Sequence, residues 1–325
     1  MNKLVVTTCV GSFVIKHGDG SFRILEEKRF TNKEIIDQPT KYEQELLAKH
    51  GAILLKPDVK NFKQLYAGVS AALASGLSDL RKNNLAMTKR AIKLSVTQDN
   101  TLIQTSNSIS EITKMLNLLA KRLREWYGYT LPEFVDTTES HESFINALAT
   151  FDRPALMKKL NIREEETMGA ALDQKDLEPV HELAQQLNTL VTLRKKHEAY
   201  LEKTMRAYCA NVTSVAGVAI GAKLIAKAGS LKRLSQFPAS TVQLLGAEKA
   251  LFRHLRTGAR SPKYGLIFEH DLVGKLDKKS RGKMARCLAD KISIAAKVDY
   301  FKGKFVGEQL KRLVEKRCNE LRGRK

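Results

Sequence analysis

Cysteine, glycine, proline and aromatic residues are all scarce in this sequence. The 325 residues include 4 Cys, 19 Gly, 7 Pro and 1 Trp, and aromatic residues make up 6% of the chain. So little Gly and Pro excludes collagen-like and low-complexity proteins. Hydrophobic residues still reach 43%, so a core built mainly from Leu, Ile, Val and Ala is expected, and that composition favours helices.

The four cysteines lie far apart, at Cys9, Cys209, Cys287 and Cys318, and no C-x-x-C spacing occurs. Structural zinc sites need clustered ligands, and disulfide frameworks need a much higher density of Cys. We therefore expect a reducing, intracellular setting in which all four thiols act as packing residues.

Long apolar runs are also absent. No window of about 18 uncharged apolar residues occurs, so no membrane span is expected. The first 20 residues contain Lys3, Lys16 and a short apolar run without a small-residue cleavage site. This pattern is typical of a β-strand rather than of a secretory leader.

The excess of positive charge is concentrated in the last third of the chain. The net charge is +21, and residues 204–325 hold 27 Lys and Arg against 9 Asp and Glu, whereas residues 1–203 hold 29 against 26. A near-neutral part joined to a strongly basic part indicates a dedicated polyanion-binding domain. The alternative is a generally basic proteome or a device for solubility.

Residue patterns predict a mainly helical protein with three domains. Residues 1–90 form a small α/β domain: Leu4–Ile15 and Phe22–Leu25 predict a hairpin, Lys41–His50 a helix ended by Gly51, and Ala52–Leu55 a strand. Residues 91–205 are a helical linker and a coiled-coil dimerisation domain, and residues 206–325 are a basic helical domain.

Two apolar stripes in the middle domain predict long amphipathic helices. The first comprises Ile109, Ile112, Met115, Leu116, Leu119, Leu123 and Trp126, and the second comprises Leu177, Val180, Leu183, Leu187, Leu190, Val191, Tyr200 and Leu201. The second helix is predicted to form an antiparallel coiled coil with a helix around Phe144–Leu160. Whether this stripe packs internally or contacts a second copy stays open; the proposed dimer residues are Leu177, Val180, Leu187, Leu190 and Val191.

The pattern over Ser240–Leu255 predicts one continuous helix in the basic domain. Ser240 and Gln243 match an S-x-x-Q capping box, and Gly258 follows the predicted end. Helical spacing places Leu244, Ala247, Leu251 and Leu255 on one face and Gly246, Lys249, Arg253 and Arg256 on the opposite face. Three cations beside a glycine suit close approach of a phosphate backbone, although a solvated charged face is the simpler alternative.

Catalytic motifs are not found. The pairs His141-Glu142, His181-Glu182 and His197-Glu198 lack the second His that an H-E-x-x-H zinc site needs. Gly217–Lys223 has the wrong spacing for a phosphate loop. Neither a G-x-S-x-G motif nor a dinucleotide fingerprint occurs.

The run PASTVQLLGAEKALFRHL at Pro238–Leu255 closely resembles the signature of the Nop domain, the RNA–protein-binding module of box C/D small ribonucleoprotein core proteins. The resemblance extends over roughly residues 115–320, and its other segments are Arg124–Tyr127, Pro132-Glu133, Met168-Gly169, Leu224–Leu231, Ser261–Gly265, Arg281–Arg286 and Ala295–Phe301. One departure is Cys209-Ala210-Asn211, where the family usually has Ala-Pro-Asn, which puts the local bend in doubt. The Lys-rich tail of eukaryotic members is missing, so an archaeal, cytoplasmic form is expected.

The resemblance implies a scaffold rather than an enzyme, with no cofactor of its own. In the family, the N-terminal domain binds fibrillarin, the methyltransferase that holds S-adenosylmethionine, and the coiled coil makes a homodimer. The Nop domain clasps a kink-turn of the box C/D guide RNA together with a ribosomal-type protein bound there, and target rRNA or tRNA is methylated at the 2′-oxygen. The RNA-facing residues implied here are Gln243, Gly246, Ala247, Glu248, Lys249, Arg253, Arg256, Lys263, Arg281, Lys283 and Arg286.

Two other functions stay in view. A spliceosome-type relative would use the same module on a different kink-turn without a methyltransferase partner, and the small α/β domain, within the near-neutral first 203 residues, argues against it. An RNA-modifying enzyme would need a cofactor motif, and the sequence shows none.

Overall fold

A computed structural model describes residues 3–7, 11–18, 21–30, 39–54, 70 and 77–323. The chain divides into two compact units, residues 1–97 and 98–325. Over the described residues, no helix is both long and apolar enough to cross a membrane. The structure is mainly helical with one small sheet, as the sequence predicts.

The first unit contains a four-stranded sheet in the order β3-β2-β1-β4. Its strands are β1 (Lys3–Thr7), β2 (Gly11–Gly18), β3 (Ser21–Arg29) and β4 (Ile53–Leu54), and its helices are α1 (Pro39–His50) and α2 (Leu77–Ser95). Strand β2 runs antiparallel to both β1 and β3, whereas β4 runs parallel to β1. Val5 and Val14 of the sheet pack with Leu46 of α1 to form the core.

The predicted hairpin is more elaborate than the sequence pattern suggests. The apolar segment Leu4–Ile15 contributes two strands that pair with each other, Leu4 opposite Ile15. The apolar pattern alone could not reveal that the chain reverses direction within this segment, because the residues before and after the reversal are equally suited to a strand. Helix α1 ends directly before Gly51, as predicted. Cys9 lies outside the described residues.

A pair of antiparallel helices, α3 (Gln98–Tyr127) and α7 (Gln174–Tyr208), forms a rod in the second unit. Leu102 packs in one cluster with Leu201, whereas Leu123 packs in another with Val180, so the two helices run in opposite directions. The prediction that one helix over Phe144–Leu160 partners the long helix is right only in part. That segment is divided into two short helices, of which the first packs against α7, whereas α3, remote in sequence, forms the antiparallel pair with α7.

Three short helices cap the far end of the rod: α4 (Pro132–Thr137), α5 (His141–Thr150) and α6 (Arg153–Leu160). Their core is aromatic, with the ring centroids of Phe134 and Phe144 5.1 Å apart and Tyr127 edge-on to both. Burial raises the pKa of Tyr127 to about 12. The Arg124 guanidinium lies over the Phe144 ring and donates to the Val135 carbonyl at 2.9 Å.

The Met168-Gly169 segment closes this end of the rod. A Cβ at Gly169 would lie 2.0 Å from the Thr130 carbonyl oxygen, so only glycine fits there. The Met168 amide donates to the Glu133 carboxylate at 2.7 Å. Two motifs that are distant in sequence, Pro132-Glu133 and Met168-Gly169, are therefore parts of one contact.

A bend separates α7 from the helical body that follows it. Cys209 leaves the helical conformation at φ −143° and ψ 66°, and α8 (Ala210–Ala216) begins directly after it. The Asp299 carboxylate accepts from the amides of Asn211 and Val212 and from the Asn211 side chain, whose oxygen in turn accepts from the Val306 amide at 2.7 Å. These bonds hold the bend without a proline.

The helical body surrounds one large apolar core. Its elements are α9 (Val218–Ala228), α10 (Leu231–Gln236), α11 (Ala239–Leu244), α12 (Glu248–Thr257), a 3₁₀ turn (Leu266–Glu269), α13 (Asp271–Gly274), α14 (Lys278–Tyr300) and α15 (Gly307–Arg322). Cys209 and Cys318 are buried in this core and Cys287 is half-buried, so these three cysteines are packing residues. Burial raises the pKa of the Cys209 thiol to about 12.

Candidate nucleic-acid interface

The helix predicted over Ser240–Leu255 is broken at Gly246. The chain forms α11 and α12 with three residues between them, and Gly246 adopts φ +89°, a left-handed conformation that favours glycine. The break lets this stretch pair with a later segment: the amides of Gly265 and Leu266 donate to the carbonyls of Gln243 and Leu245 at 2.9 and 2.7 Å. Long-range backbone bonds therefore replace the interior bonds of the predicted helix.

The predicted capping box is also absent. Pro238 occupies the N-cap position of α11, and no side chain caps the helix. Gln243 instead donates from its side-chain amide to the Lys263 carbonyl at 2.5 Å. That bond ties the end of α11 to the loop Ser261–Gly265.

Helix α12 carries its cations on an open face, and its apolar side is uncovered as well. Lys249, Arg253 and Arg256 are exposed, and over the described residues none of them forms an ion pair. No residue of α12 is buried, and the side chains of Phe252 and Leu255 are 61% and 70% exposed. The apolar face predicted through Leu244, Ala247, Leu251 and Leu255 is not a core face: three of the four are half-buried and Leu255 is exposed, because the body covers too little of this helix.

Glu248 has a local structural role at the start of α12. Its carboxylate accepts a hydrogen bond from the Gly246 amide at 2.7 Å. Burial disfavours the charged form, but hydrogen bonds from the backbone amides of Gly246 and Glu248 outweigh it, so the pKa of Glu248 is lowered. Ala247, next to it, is half-buried and bonds through its amide to the Leu244 carbonyl.

A cleft of about 640 Å³ lies beside the loop Ser261–Gly265, where residues of α14 and α15 approach that loop. Five cations line it and, among the described residues, no acidic side chain does; its lining consists of Gln243, Ser261, Pro262, Lys263, Lys279, Gly282, Lys283, Arg286 and Arg317. We call it the cationic cleft. The predicted residues Gln243, Lys263, Lys283 and Arg286 are brought together here from three separate segments. Lys279 and Arg317 were missed, because Arg317 lies on α15, outside every motif, and reaches the cleft only through helix packing.

Arg281 does not line the cationic cleft. Its guanidinium donates to the carbonyls of Leu276 at 2.8 Å and Gly274 at 3.1 Å and lies over the Phe268 ring. These contacts hold the turn between α13 and α14. Arg281 therefore supports the wall of the site through the backbone, whereas its neighbours Lys283 and Arg286 face the cleft.

The predicted dimer residues are used inside a single chain. Val180, Leu187 and Val191 are buried against α3 and α5, Leu177 is buried too, and the half-buried Leu190 packs on the same cluster. In a single chain their surface is therefore already largely covered, and a contact between copies through these residues stays a prediction. Periodicity identifies an apolar face but does not say which element covers it.

No group of three or more His, Cys, Asp or Glu in the described part of the chain could hold a metal ion. Two of the three His-Glu pairs meet at one arginine, because Arg194 pairs with both Glu142 and Glu198. The Glu142 carboxylate accepts from Arg194, which lowers the pKa of Glu142. The imidazole Nδ1 of His197 lies 3.2 Å from the Ser108 hydroxyl.

Comparisons with known proteins point to one family. The sequence model of the Nop family, described as "snoRNA binding domain, fibrillarin", matches residues 108–320. An uncharacterized NOP5 family protein of Methanocaldococcus jannaschii is 40% identical over 251 residues, covering 73% of this chain and 60% of that protein. Nucleolar protein 58 of Schizosaccharomyces pombe is 34% identical over 292 residues, covering 81% and 58%.

A solved structure of a fibrillarin/Nop5p complex superposes with a TM-score of 0.45 at 24% identity, covering 93% of this chain and 97% of the matched one. The chain spans about three fifths of the length of the first two relatives. The family match covers the rod, the loop at Gly246 and the cationic cleft, and on this basis the chain belongs to the Nop family.

Proposed function

We propose that this chain is the non-catalytic scaffold of a box C/D guide ribonucleoprotein in an archaeal cytoplasm. It would dock fibrillarin onto guide RNA for 2′-O-methylation of rRNA or tRNA. Fibrillarin would bind S-adenosylmethionine and transfer the methyl group. The family match supports the RNA-binding part of this proposal, and the first unit, residues 1–97, is the part of the chain we assign to fibrillarin.

The cationic cleft is the observation that carries the proposal. Five Lys and Arg side chains converge there without an acidic residue in the lining. Like charges held together repel one another, and a bound polyanion relieves that repulsion. The planar donors of the exposed Arg286 suit phosphate oxygens, and Arg317, which pairs with Glu320 at 2.7 Å, could exchange that partner for a phosphate. An RNA backbone is therefore the ligand that fits.

Helix α12 supports a composite partner of RNA and protein. Its cations Lys249, Arg253 and Arg256 suit phosphates, whereas Phe252 and Leu255 present an apolar surface that a nucleic-acid backbone alone would leave wet. A kink-turn already occupied by a small ribosomal-type protein would cover both. Binding to bare RNA should then be weaker and more sensitive to salt.

A homodimer would use the outer face of the rod. Met115, Leu118 and Leu193 are 45%, 70% and 39% exposed. The contact between Ser108 and His197 sets the register of the antiparallel pair, and it places Met115 at the level of Leu190 along the rod. These residues, rather than the buried stripe, are the ones we assign to the contact between copies.

Reconstitution tests the proposal. The full chain, a kink-turn guide RNA, the kink-turn-binding protein and fibrillarin should together methylate a guide-matched RNA, and omission of this chain should abolish methylation. Replacing both Lys283 and Arg286 with Ala should weaken assembly. The matched control replaces Lys195 and Lys196, two exposed rod lysines, and should assemble normally.

Methyl transfer by this chain without fibrillarin would refute the scaffold assignment. Equal assembly by the cleft variant and the rod control would refute the assignment of the cationic cleft to RNA.

A further inference from the structure

The turn between α14 and α15 concentrates exposed aromatic and basic side chains. In the sequence FKGKF at residues 301–305, the side chains of Phe301 and Phe305 are 75% and 56% exposed. Phe301 is the most exposed phenylalanine among the described residues. Lys302 and Lys304 are exposed as well, and over the described part of the chain neither forms an ion pair. We call residues 301–305 the aromatic turn.

The aromatic turn is distant from the cationic cleft. Lys283 lies near the start of α14 and Phe301 follows its end, and 18 residues at 1.5 Å per residue separate them by about 27 Å. None of the residues assigned to the RNA–protein interface above belongs to the aromatic turn. Any ligand bound there occupies a second site.

The backbone of the aromatic turn is held firmly. The Gly303 amide donates to the Val298 carbonyl at 2.8 Å and the Lys302 amide to the Asp299 carbonyl at 3.2 Å, the bonding pattern of a Schellman motif. Its left-handed position holds Lys302, at φ +53°, where glycine is the usual residue. This conformation fixes the backbone at Lys302 between the two phenylalanines, although glycine would adopt it with less strain.

The rings are supported and have space beside them. Tyr300 packs edge-on to Phe301, with centroids 5.0 Å apart and planes at 72°. Phe305 lines two open clefts, of about 710 and 380 Å³. Arg206 and Lys311 line the larger cleft and Arg312 the smaller, together with the acidic Glu308 in both and Asp271 and Glu315 in the larger. A flat ring could therefore stack on either phenylalanine with cations nearby.

We infer that the aromatic turn is a stacking platform for unpaired RNA nucleotides. Bases stack on exposed aromatic rings without regard to sequence, and neighbouring cations neutralise the backbone. Lys302 and Lys304, with Arg206, Lys311 and Arg312 of the adjoining clefts, make five cations against the three acids Glu308, Asp271 and Glu315, and this excess favours a polyanion over an apolar protein segment. This inference deepens the proposed RNA-binding function and rests on it.

The test measures binding of a labelled ten-nucleotide oligouridylate, and of an abasic chain of the same length, to the full-length protein by fluorescence anisotropy. Phe301→Ala should weaken oligouridylate binding roughly 5- to 100-fold and leave the abasic chain unaffected. Phe301→Trp should retain binding, whereas Phe301→Leu should behave like Phe301→Ala. Lys302→Ala should reduce the salt slope by about 0.7. Tyr129→Ala removes an aromatic ring that is 70% exposed on the rod, and it is expected to have no effect.

A second measurement does not depend on the variants. Oligouridylate carrying 4-thiouridine should photocrosslink to Phe301 or Phe305 of the unaltered chain. Absence of these crosslinks, equal binding by Phe301→Ala and the unaltered protein, or no binding of oligouridylate at all would overturn the inference. Equal binding by Phe301→Leu and Phe301→Trp would do so too, because it would indicate a generic apolar contact such as a protein partner makes.

The two proposals fail separately. Phe301→Ala should still assemble on the kink-turn complex, because the aromatic turn is remote from the cationic cleft. Failure of the unaltered chain to assemble there would refute the proposed function, while the base-dependent loss at Phe301 would stand on its own measurement.

Discussion

Replacement of Gly246 by Ala tests whether the break between α11 and α12 is required. At φ +89° an L-residue is strained, which costs about 1–2 kcal/mol. The new Cβ would also lie 2.6 Å from Leu266 Cγ, and relieving such overpacking costs roughly 1–3 kcal/mol. The free energy of unfolding of the second unit should therefore fall by about 2–5 kcal/mol.

Gly258→Ala is the matched control for this prediction. Gly258 is also left-handed, at φ +65°, but a Cβ there meets nothing within 4 Å. It should lose only the conformational part, about 1–2 kcal/mol. The difference between the two variants then isolates the contact with Leu266.

Denaturant unfolding followed by helical circular dichroism measures both variants. In a thermal scan, each 1 kcal/mol should lower the Tm by roughly 2–4 °C in a unit of this size. If Gly246→Ala were no less stable than Gly258→Ala, neither the break nor the close approach of Leu266 would be required. The break between α11 and α12 would then need an explanation other than the left-handed conformation of Gly246.

Three further predictions concern the cleft, the bend and the rod. Arg317→Ala should reduce the slope of log K against log salt, for assembly on the RNA–protein complex, by about 0.9. Lys316 is exposed on the same helix but outside the cleft lining, so Lys316→Ala should leave the slope unchanged; equal slopes for the two variants would remove Arg317 from the interface. Asn211→Ala leaves the Val306 amide without its acceptor and takes one donor from Asp299, so the free energy of unfolding should fall by about 2–4 kcal/mol. A loss below about 0.5 kcal/mol would show that these hydrogen bonds do not hold the bend at Cys209. Leu118→Asp should yield a folded monomer by light scattering, whereas Leu187→Asp should disrupt the rod by circular dichroism because Leu187 is fully buried; a stable dimer of Leu118→Asp would refute the assigned face.

The sequence alone determined the features that depend on local pattern and on composition. The excess of cations after residue 204 located the basic domain, and the apolar spacing from Leu177 to Leu201 predicted the long helix, observed at Gln174–Tyr208. The run at Pro238–Leu255 identified the family. These signals survive because helical periodicity and net charge are properties of short or averaged stretches of chain.

Only the tertiary structure decided which surfaces are covered. The stripe of α7 is complete in the sequence, but it is covered by the remote α3 together with α5 from the nearer segment, because buried area and not proximity along the chain selects the contact. The sequence around Gly246 is compatible with a continuous helix or with a break, and the backbone hydrogen bonds from Gly265 and Leu266 stabilise the break. Arg317 carries no motif, and it joins the cationic cleft because α15 folds back along α14. The side chains that meet in this site come from distant segments, and their distances are fixed by packing, which no local pattern encodes.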